Sequence, residues 1–215
     1  MNTRATHYSL LLLIVLAIIL GIVTYPLLPQ MMISHWNAQG VPNGTMHKVL
    51  GVFIFPIILI VFYVLFHGIP RLSPKKESFE QFKNHFNVFF VVLSLFIFYV
   101  FIVSLAWNLG VRFSFIHAFS PALAVLWFSI ARLLGKTKQN WFVGIRTPWT
   151  LSNEVVWDKT HQLGKKLFRG LGGITLLGIV FPRYFFIGFF VSLCIVVATL
   201  FVYSYRQYKK ISAQQ

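Results

Sequence analysis

Three ionisable side chains in the second half of the chain have a spacing that could support chemistry. Glu154, Asp158 and His161 are separated by four and then three residues, so on a helix they share one face. Two carboxylates and an imidazole on one face could bind a divalent metal or transfer protons. The alternative, which we favour, is a solvated face whose carboxylates pair with neighbouring Lys or Arg side chains. We therefore predict no catalytic residue, no metal site and no cofactor.

Arg146 is the most suggestive single residue, because it lies between Gly144 and Pro148 in an apolar, aromatic setting. A buried guanidinium needs an anionic partner, and Glu154 is the nearest acid in sequence. This pair could fasten a loop to the rest of the protein, which is the interpretation we favour. Alternatively, Arg146, Trp149 and Glu154 could form a docking surface for a cytosolic partner.

A helix is expected shortly after Pro148, because proline forces Thr147 into an extended backbone. Thr150 or Ser152 could cap this helix, with Glu154 in its first turn. The positions that fall on one stripe of the helix are Val156, Trp157, Thr160, Leu163, Gly164, Leu167 and Phe168. This pattern predicts an amphipathic helix lying on the inner leaflet of a membrane. The alternative is a loop folded back over the other helices.

The composition requires a membrane around these elements. The chain has 215 residues, of which 57% are hydrophobic and only 11% are charged, whereas soluble domains carry roughly a quarter charged residues. The formal net charge of +15 therefore indicates membrane topology and contact with anionic lipid rather than nucleic-acid binding. The single cysteine, Cys194, excludes a disulfide or a cysteine-based metal site within one chain.

Six segments are long and apolar enough to cross a bilayer, which needs about 20 residues per helix. They are residues 8–25, 49–69, 87–109, 115–134, 167–181 and 184–203. Each must be helical, because backbone groups in lipid have no water to bind. The sequence thus predicts an all-α integral membrane protein, with residues 1–215 forming one polytopic domain. The amphipathic segment precedes the fifth span, inside a cytoplasmic motif loop at residues 135–166.

The distribution of positive charge predicts the orientation. With six spans, all Lys and Arg residues except Lys48, Arg112 and Arg183 fall on the side that carries both termini. Lys and Arg are retained in the cytoplasm. We therefore expect a multi-pass protein of the cell membrane with both termini in the cytoplasm.

Residues 26–48 are then an extracellular loop with a turn signal at Pro42, Asn43 and Gly44. It is the largest outside surface, so we expect it to contact a ligand. The candidate contact residues are His35, Trp36, Asn37, Gly40 and Pro42.

Two groups of residues resemble a known family. The run from Gly144 to Leu151, followed by Glu154, Trp157 and residues 159–161, is similar to the signature of the SdpI family of bacterial membrane immunity proteins. Leu28-Pro29, His35-Trp36-Asn37, residues 40–44 and Lys48 resemble the extracellular loop of many members, although Asn43 stands where an acidic residue is expected. The candidate motif residues, structural or partner-binding, are Arg146, Thr147, Pro148, Trp149, Thr150, Asn153, Glu154, Trp157 and His161.

The resemblance implies protection of the cell from a secreted toxic peptide, and signalling by recruitment of a cytosolic repressor. Membrane lipids, a toxin outside and a repressor inside are the expected partners. Two other classes stay open from the residues alone. One is a transporter or exporter of small solutes or peptides, which would need a polar path through the helices. The other is a membrane enzyme that uses Glu154, Asp158 and His161.

Overall fold

The computed structural model describes residues 1–213, most of which are helical. In chain order the elements are α1 (Thr3–Thr24), β1 (Met31–Trp36), β2 (Pro42–His47), α2 (Lys48–Leu72), α3 (Lys76–Asn108), α4 (Phe115–Leu134), α5 (Pro148–Ser152), α6 (Glu154–Leu176) and α7 (Phe185–Ser212). Short 3-10 turns follow α1 and α6 and precede α7. The prediction of a helical membrane protein is confirmed at this level.

Within residues 1–213, five helical segments are long and apolar enough to cross a membrane: Thr3–Leu27, Lys48–Leu72, Lys76–Asn108, Phe115–Leu134 and Pro182–Ser212. They correspond to five of the six predicted spans, with ends that differ by one or more residues in four of the five. The predicted fifth span, residues 167–181, begins inside α6 and continues beyond its end. Cationic side chains along α6 keep that helix below the hydropathy of a membrane span. A multi-pass protein is therefore confirmed, but the count of six spans is not.

One end of the bundle gathers the N-terminus, the α2–α3 connection and the segment around α5. The Asn87 amide in α3 donates to the carbonyl oxygen of Met1 at 3.2 Å. The Lys75 ammonium donates to the side-chain oxygen of Gln139. On α7, Ser204 forms a 3.1 Å hydrogen bond with the Thr147 hydroxyl. We call this the motif end.

The opposite end carries the two strands and is called the hairpin end. Phe185, at the start of α7, packs in one apolar cluster with Ile116 at the start of α4. The Ile116 side chain in turn lies against Gly40, between the strands. The starts of α4 and α7 therefore meet beneath the turn of the hairpin.

The helix α6 packs antiparallel against α4 and also contacts α7. Gln162 near its start donates to the carbonyl oxygen of Gly135, and a Cβ atom at Gly172 would lie 2.7 Å from the Phe128 ring. Val156, Trp157, Thr160 and Gly164 on the predicted stripe are buried. Because that stripe packs against protein, the prediction of a helix lying on the inner leaflet is not confirmed.

The segment between α1 and α2 contains a β-hairpin, so the prediction of helices alone was incomplete. The antiparallel strands β1 and β2 pair Met31 with His47 and Trp36 with Pro42. Alternation puts Met32, which is almost fully buried, on the inner face of β1. The predicted extracellular loop is thus a shaped element rather than an irregular one.

Candidate functional site

The hairpin turn is built by two of the predicted contact residues. The Asn37 side-chain oxygen accepts hydrogen bonds from the backbone N–H groups of Gln39 and Val41 at 3.0 and 2.9 Å. Gly40 has a φ of +74°, a left-handed conformation that favours glycine. Asn37 and Gly40 therefore fix the shape of the turn.

His35 is an exposed polar side chain beside this turn. Its Nδ1 atom lies 2.6 Å from the side-chain oxygen of Asn43, so the imidazole donates there. Asn43 thus supplies an acceptor at the position where the family resemblance suggests an acid. A Cβ atom at Gly44 would lie 2.9 Å from the His35 Cβ, so glycine lets the strands approach closely here.

Trp36 attaches the hairpin to the helices. Its ring stacks on Phe115 with a centroid distance of 4.5 Å and an interplanar angle of 10°. The Trp107 ring packs edge-on against the Trp36 ring, with a centroid distance of 5.8 Å. The indole N–H of Trp36 is buried and has no hydrogen-bond partner within residues 1–213. Pro42, its strand partner, is half-buried.

Asn108, at the end of α3, attaches the hairpin to the helices at a second point. Its side-chain oxygen accepts from the Ile33 N–H at 2.7 Å, and its amide donates to the Ile33 carbonyl at 3.0 Å. Asn108 therefore pairs with β1 as a further strand would. A polar residue at the end of an apolar span was the available signal.

A cavity of about 400 Å³ lies between the hairpin and the helices. His35, Trp36 and Met46 line it from the hairpin, and Phe55 and Phe119 line it from α2 and α4. Its volume is within the range of small-molecule sites. The mostly apolar wall suits an apolar side chain or acyl group, with His35 as a polar contact.

At the motif end, two caps begin two successive helices. The Thr147 hydroxyl accepts from the Thr150 N–H at 3.2 Å, and the Thr150 hydroxyl accepts from the Thr147 N–H at 2.9 Å. This capping box starts α5, with Pro148 in its first turn. The Asn153 side chain accepts from the N–H groups of Val155 and Val156 and starts α6. The predicted caps, Thr150 and Ser152, were therefore wrong.

His161 is buried, with 1% of its surface exposed. Its Nδ1 donates to the Trp157 carbonyl at 2.8 Å, and its Nε2 accepts from the Ile145 N–H at 2.9 Å. Desolvation lowers the pKa of His161 to about 4, although the hydrogen bond to Trp157 acts in the opposite direction. The imidazole is therefore neutral, and both nitrogens are occupied by the backbone.

This geometry separates the three residues that were considered for metal or acid–base chemistry. Glu154 and Asp158 are exposed, whereas His161 is covered by the segment before α5. Within residues 1–213, no group of three His, Cys, Asp or Glu side chains could hold a metal ion. The arrangement does not support an enzyme that uses these three residues together.

Gly144 lets the segment before α5 pack closely against α6. Its φ is +126°, and a Cβ atom there would collide with His161 Nε2 and lie 3.0 Å from the Trp157 ring. That ring stacks on His161 at 3.9 Å, and its indole N–H donates to the Thr137 carbonyl. The Gly144 position thus requires glycine for both its backbone and its lack of a side chain.

The predicted pair between Arg146 and Glu154 does not form. Arg146 is exposed and donates to the Trp141 carbonyl at 2.6 Å. Glu154 lies 3.8 Å from the Lys75 ammonium, in a pair too exposed to contribute much stability. Pro148 is also exposed, and Trp149 is half-buried against α7.

Comparisons with known proteins bear on both ends of the chain. Residues 136–204 match the model of the SdpI/YfhL protein family, and residues 12–60 match a domain of unknown function, DUF1648. The chain is 25% identical to Immunity protein SdpI of Bacillus subtilis (strain 168). The aligned region of 213 residues covers 95% of this chain and 97% of that protein.

A shorter similarity is to Uncharacterized membrane protein YbgB of the same strain. It is 37% identical over 49 residues, or 23% of this chain and 54% of that protein. No solved structure matches the chain. The family model includes the segment around α5, and the full-length similarity extends along nearly the whole chain. The resemblance of this chain to the SdpI family of membrane immunity proteins is therefore confirmed.

Proposed function

We propose that this protein is a membrane immunity protein that protects its cell against a secreted toxic peptide. The observation that carries the proposal is the similarity to Immunity protein SdpI over 95% of the chain. A similarity of this extent includes both the hairpin and the segment around α5, rather than the membrane helices alone.

In this proposal the chain crosses the cell membrane six times, with the motif end and both termini in the cytoplasm. The antiparallel packing of α6 on α4 supports a sixth crossing, which residues 167–181, from the second half of α6 and the turn after it, would provide. Most Lys and Arg residues belong to segments of the motif end, as expected for a cytoplasmic side. Residues 1–215 then form a single membrane domain.

The hairpin is the proposed contact for the toxic peptide outside the cell. His35 is exposed, and Trp36 forms part of the wall of the cavity of about 400 Å³. An apolar side chain of the peptide would enter this cavity. Asn37, Gly40 and Pro42 would act by holding the turn in place.

The exposed residues of the motif end are the proposed docking surface for a cytosolic repressor. Arg146, Pro148 and Glu154 are exposed beside half-buried Trp149. The other candidate residues of the motif would maintain this surface from within, through the caps and the buried ring pair: Thr147, Thr150, Asn153, Trp157 and His161.

The test is survival of a toxin-sensitive host that expresses the chain. We expect the wild-type chain to restore growth in culture supernatant containing the secreted toxic peptide. His35→Ala should lower the tolerated supernatant concentration by about tenfold, because it removes a side chain at the proposed contact. Growth at a dilution series of supernatant, with the membrane content of each variant measured in parallel, gives the result.

Thr45→Ala is the matched control, because Thr45 is exposed on β2 and does not line the cavity. It should protect like the wild type. Killing of cells that hold normal amounts of inserted wild-type protein would contradict the immunity function. Equal protection by the His35 and Thr45 variants would contradict the role of the hairpin alone.

A further inference from the structure

A second cavity, of about 500 Å³, lies at the motif end between α3, α4 and α6. Four cationic side chains line it: Arg132 in the last turn of α4, Lys136 just after that helix, and Lys165 and Arg169 on α6. His85 of α3 completes the polar wall, and none of the lining residues is acidic. The cavity is therefore strongly electropositive.

Close packing of α4 on α6 holds these cations together. A Cβ atom at Gly135 would lie 2.5 Å from the Lys165 Cδ, so the aliphatic part of Lys165 lies across Gly135. Two turns farther into α4, the Phe128 ring lies against Gly172. Arg132 lies between these two contacts on α4, and Arg169 occupies the corresponding position on α6.

Within residues 1–213, the four cationic side chains have no ion-pair or hydrogen-bond partner. The ion pairs within residues 1–213 are Lys75 with Glu154 and Lys83 with Glu80, neither of which involves this cavity. None of the four side chains forms a hydrogen bond to another described residue. The Nδ1 atom of His85 is also buried without a partner in this part of the chain. Arg132, Lys136 and Arg169 are exposed and Lys165 is half-buried, so water and salt screen their mutual repulsion. An anion held among the four charges would reduce that repulsion further.

Helix-dipole compensation explains only part of this cluster. Arg132 lies in the last turn of α4 and Lys136 just beyond it, where a cation interacts favourably with the helix C-terminus. Lys165 and Arg169 lie in the interior of α6, where no helix terminus would select them. Their convergence on the α4 cations points to a ligand.

We propose that this cavity binds a phosphate group, and that its source is the headgroup of an anionic phospholipid. Arginine forms paired hydrogen bonds with phosphate oxygens, and two arginines face the same space here. The cavity lies at the end of α4, a helix long and apolar enough to cross a membrane. The end of such a helix is where it would meet the lipid headgroups. Phe128, which lines the cavity and is 40% exposed, would contact the adjoining acyl chain. The inference is independent of the immunity function.

The experiment measures thermal unfolding of the full chain in neutral detergent with added phosphatidylglycerol, phosphatidylcholine or inorganic phosphate. We expect phosphatidylglycerol to raise the midpoint in a saturable manner, as for a ligand of the folded state, and phosphatidylcholine to leave it unchanged. Arg132→Gln with Arg169→Gln should weaken the apparent affinity by about tenfold or more, because it removes charged hydrogen bonds. An equal shift with inorganic phosphate would support the phosphate site but assign it to a soluble anion.

Arg71→Gln with Arg206→Gln is the matched control, since both arginines are exposed at the motif end outside the cavity. It removes the same charge and should retain the phosphatidylglycerol response. Equal loss in both double variants, or an equal response to phosphatidylcholine, would overturn the proposal. If the cavity variant does not fold, Lys136→Gln provides the same comparison against Lys138→Gln, which is also exposed.

Discussion

Gly144→Ala is expected to lower the free energy of unfolding by about 3 kcal/mol or more. Two costs combine at this position. A φ of +126° is strained for any residue with a Cβ atom, and the added atom would collide with His161 Nε2. Relief of the collision would break the Ile145 hydrogen bond to His161.

Thermal unfolding in detergent, followed by tryptophan fluorescence, would measure this effect. Gly173→Ala is the control, because an added Cβ there meets no atom within 4 Å in the described structure and the site is exposed on α6. Alanine should be neutral or stabilising there by up to about 1 kcal/mol, from helix propensity. Equal unfolding midpoints for the two variants would show that close packing of the segment before α5 on α6 does not require glycine at position 144.

The stability of the wild-type chain is expected to fall by on the order of 3 kcal/mol as the pH decreases from about 6.5 to about 4. Burial lowers the pKa of His161 to about 4 in the folded protein, whereas an unfolded histidine has a pKa of about 6.5. Between these values the unfolded chain binds a proton that the folded chain does not. Stability from His161 is therefore complete above pH 6.5 and is lost as the pH falls.

His161→Phe tests this assignment, because phenylalanine keeps a ring against Trp157 but cannot titrate. The variant should be less stable at pH 7, since it leaves the Ile145 N–H without its acceptor. It should also lack most of the acid-dependent loss between pH 6.5 and 4. His117→Phe, at an exposed position of α4, should retain the wild-type slope. An unchanged slope in the His161 variant would exclude His161 as its source.

The elements that hydrophobic patterning specifies were predicted well. The predicted span at residues 115–134 coincides with α4, because its apolar run is bounded at both ends. The stripe of α6 was also identified: four of its seven members are buried and the other three are half-buried. The prediction that this stripe contacts lipid was not confirmed, since the stripe packs against other helices. An apolar helix face fits a bilayer or a neighbouring helix equally well, so the sequence pattern does not distinguish them.

The hairpin was missed because its stability is not local. The strand residues include Pro42, Asn43 and Gly44, types that are depleted in strands. The pairing is instead supported by Asn108, 75 residues from Ile33, and by the stacking of Trp36 on Phe115. Contacts between residues so distant in sequence leave no periodic signal in either segment.

The errors at the motif end have a similar cause. Glu154 is the nearest acid to Arg146 in sequence. In the structure, however, Glu154 pairs with Lys75 from the α2–α3 connection. Helical spacing correctly puts Glu154 and His161 on one face of α6. The segment around Gly144 covers only the second of these positions, so the two side chains have different environments.

The most direct test of the account is the accessibility of the two ends of the bundle in intact cells. Cys194→Ser removes the native thiol, and His35→Cys or Ser152→Cys then introduces one at an exposed position of either end. A membrane-impermeant maleimide should label Cys at position 35 in intact cells and at position 152 only after permeabilisation. Labelling of both positions in intact cells would contradict the proposal that the hairpin faces the toxin while the motif faces the cytoplasm.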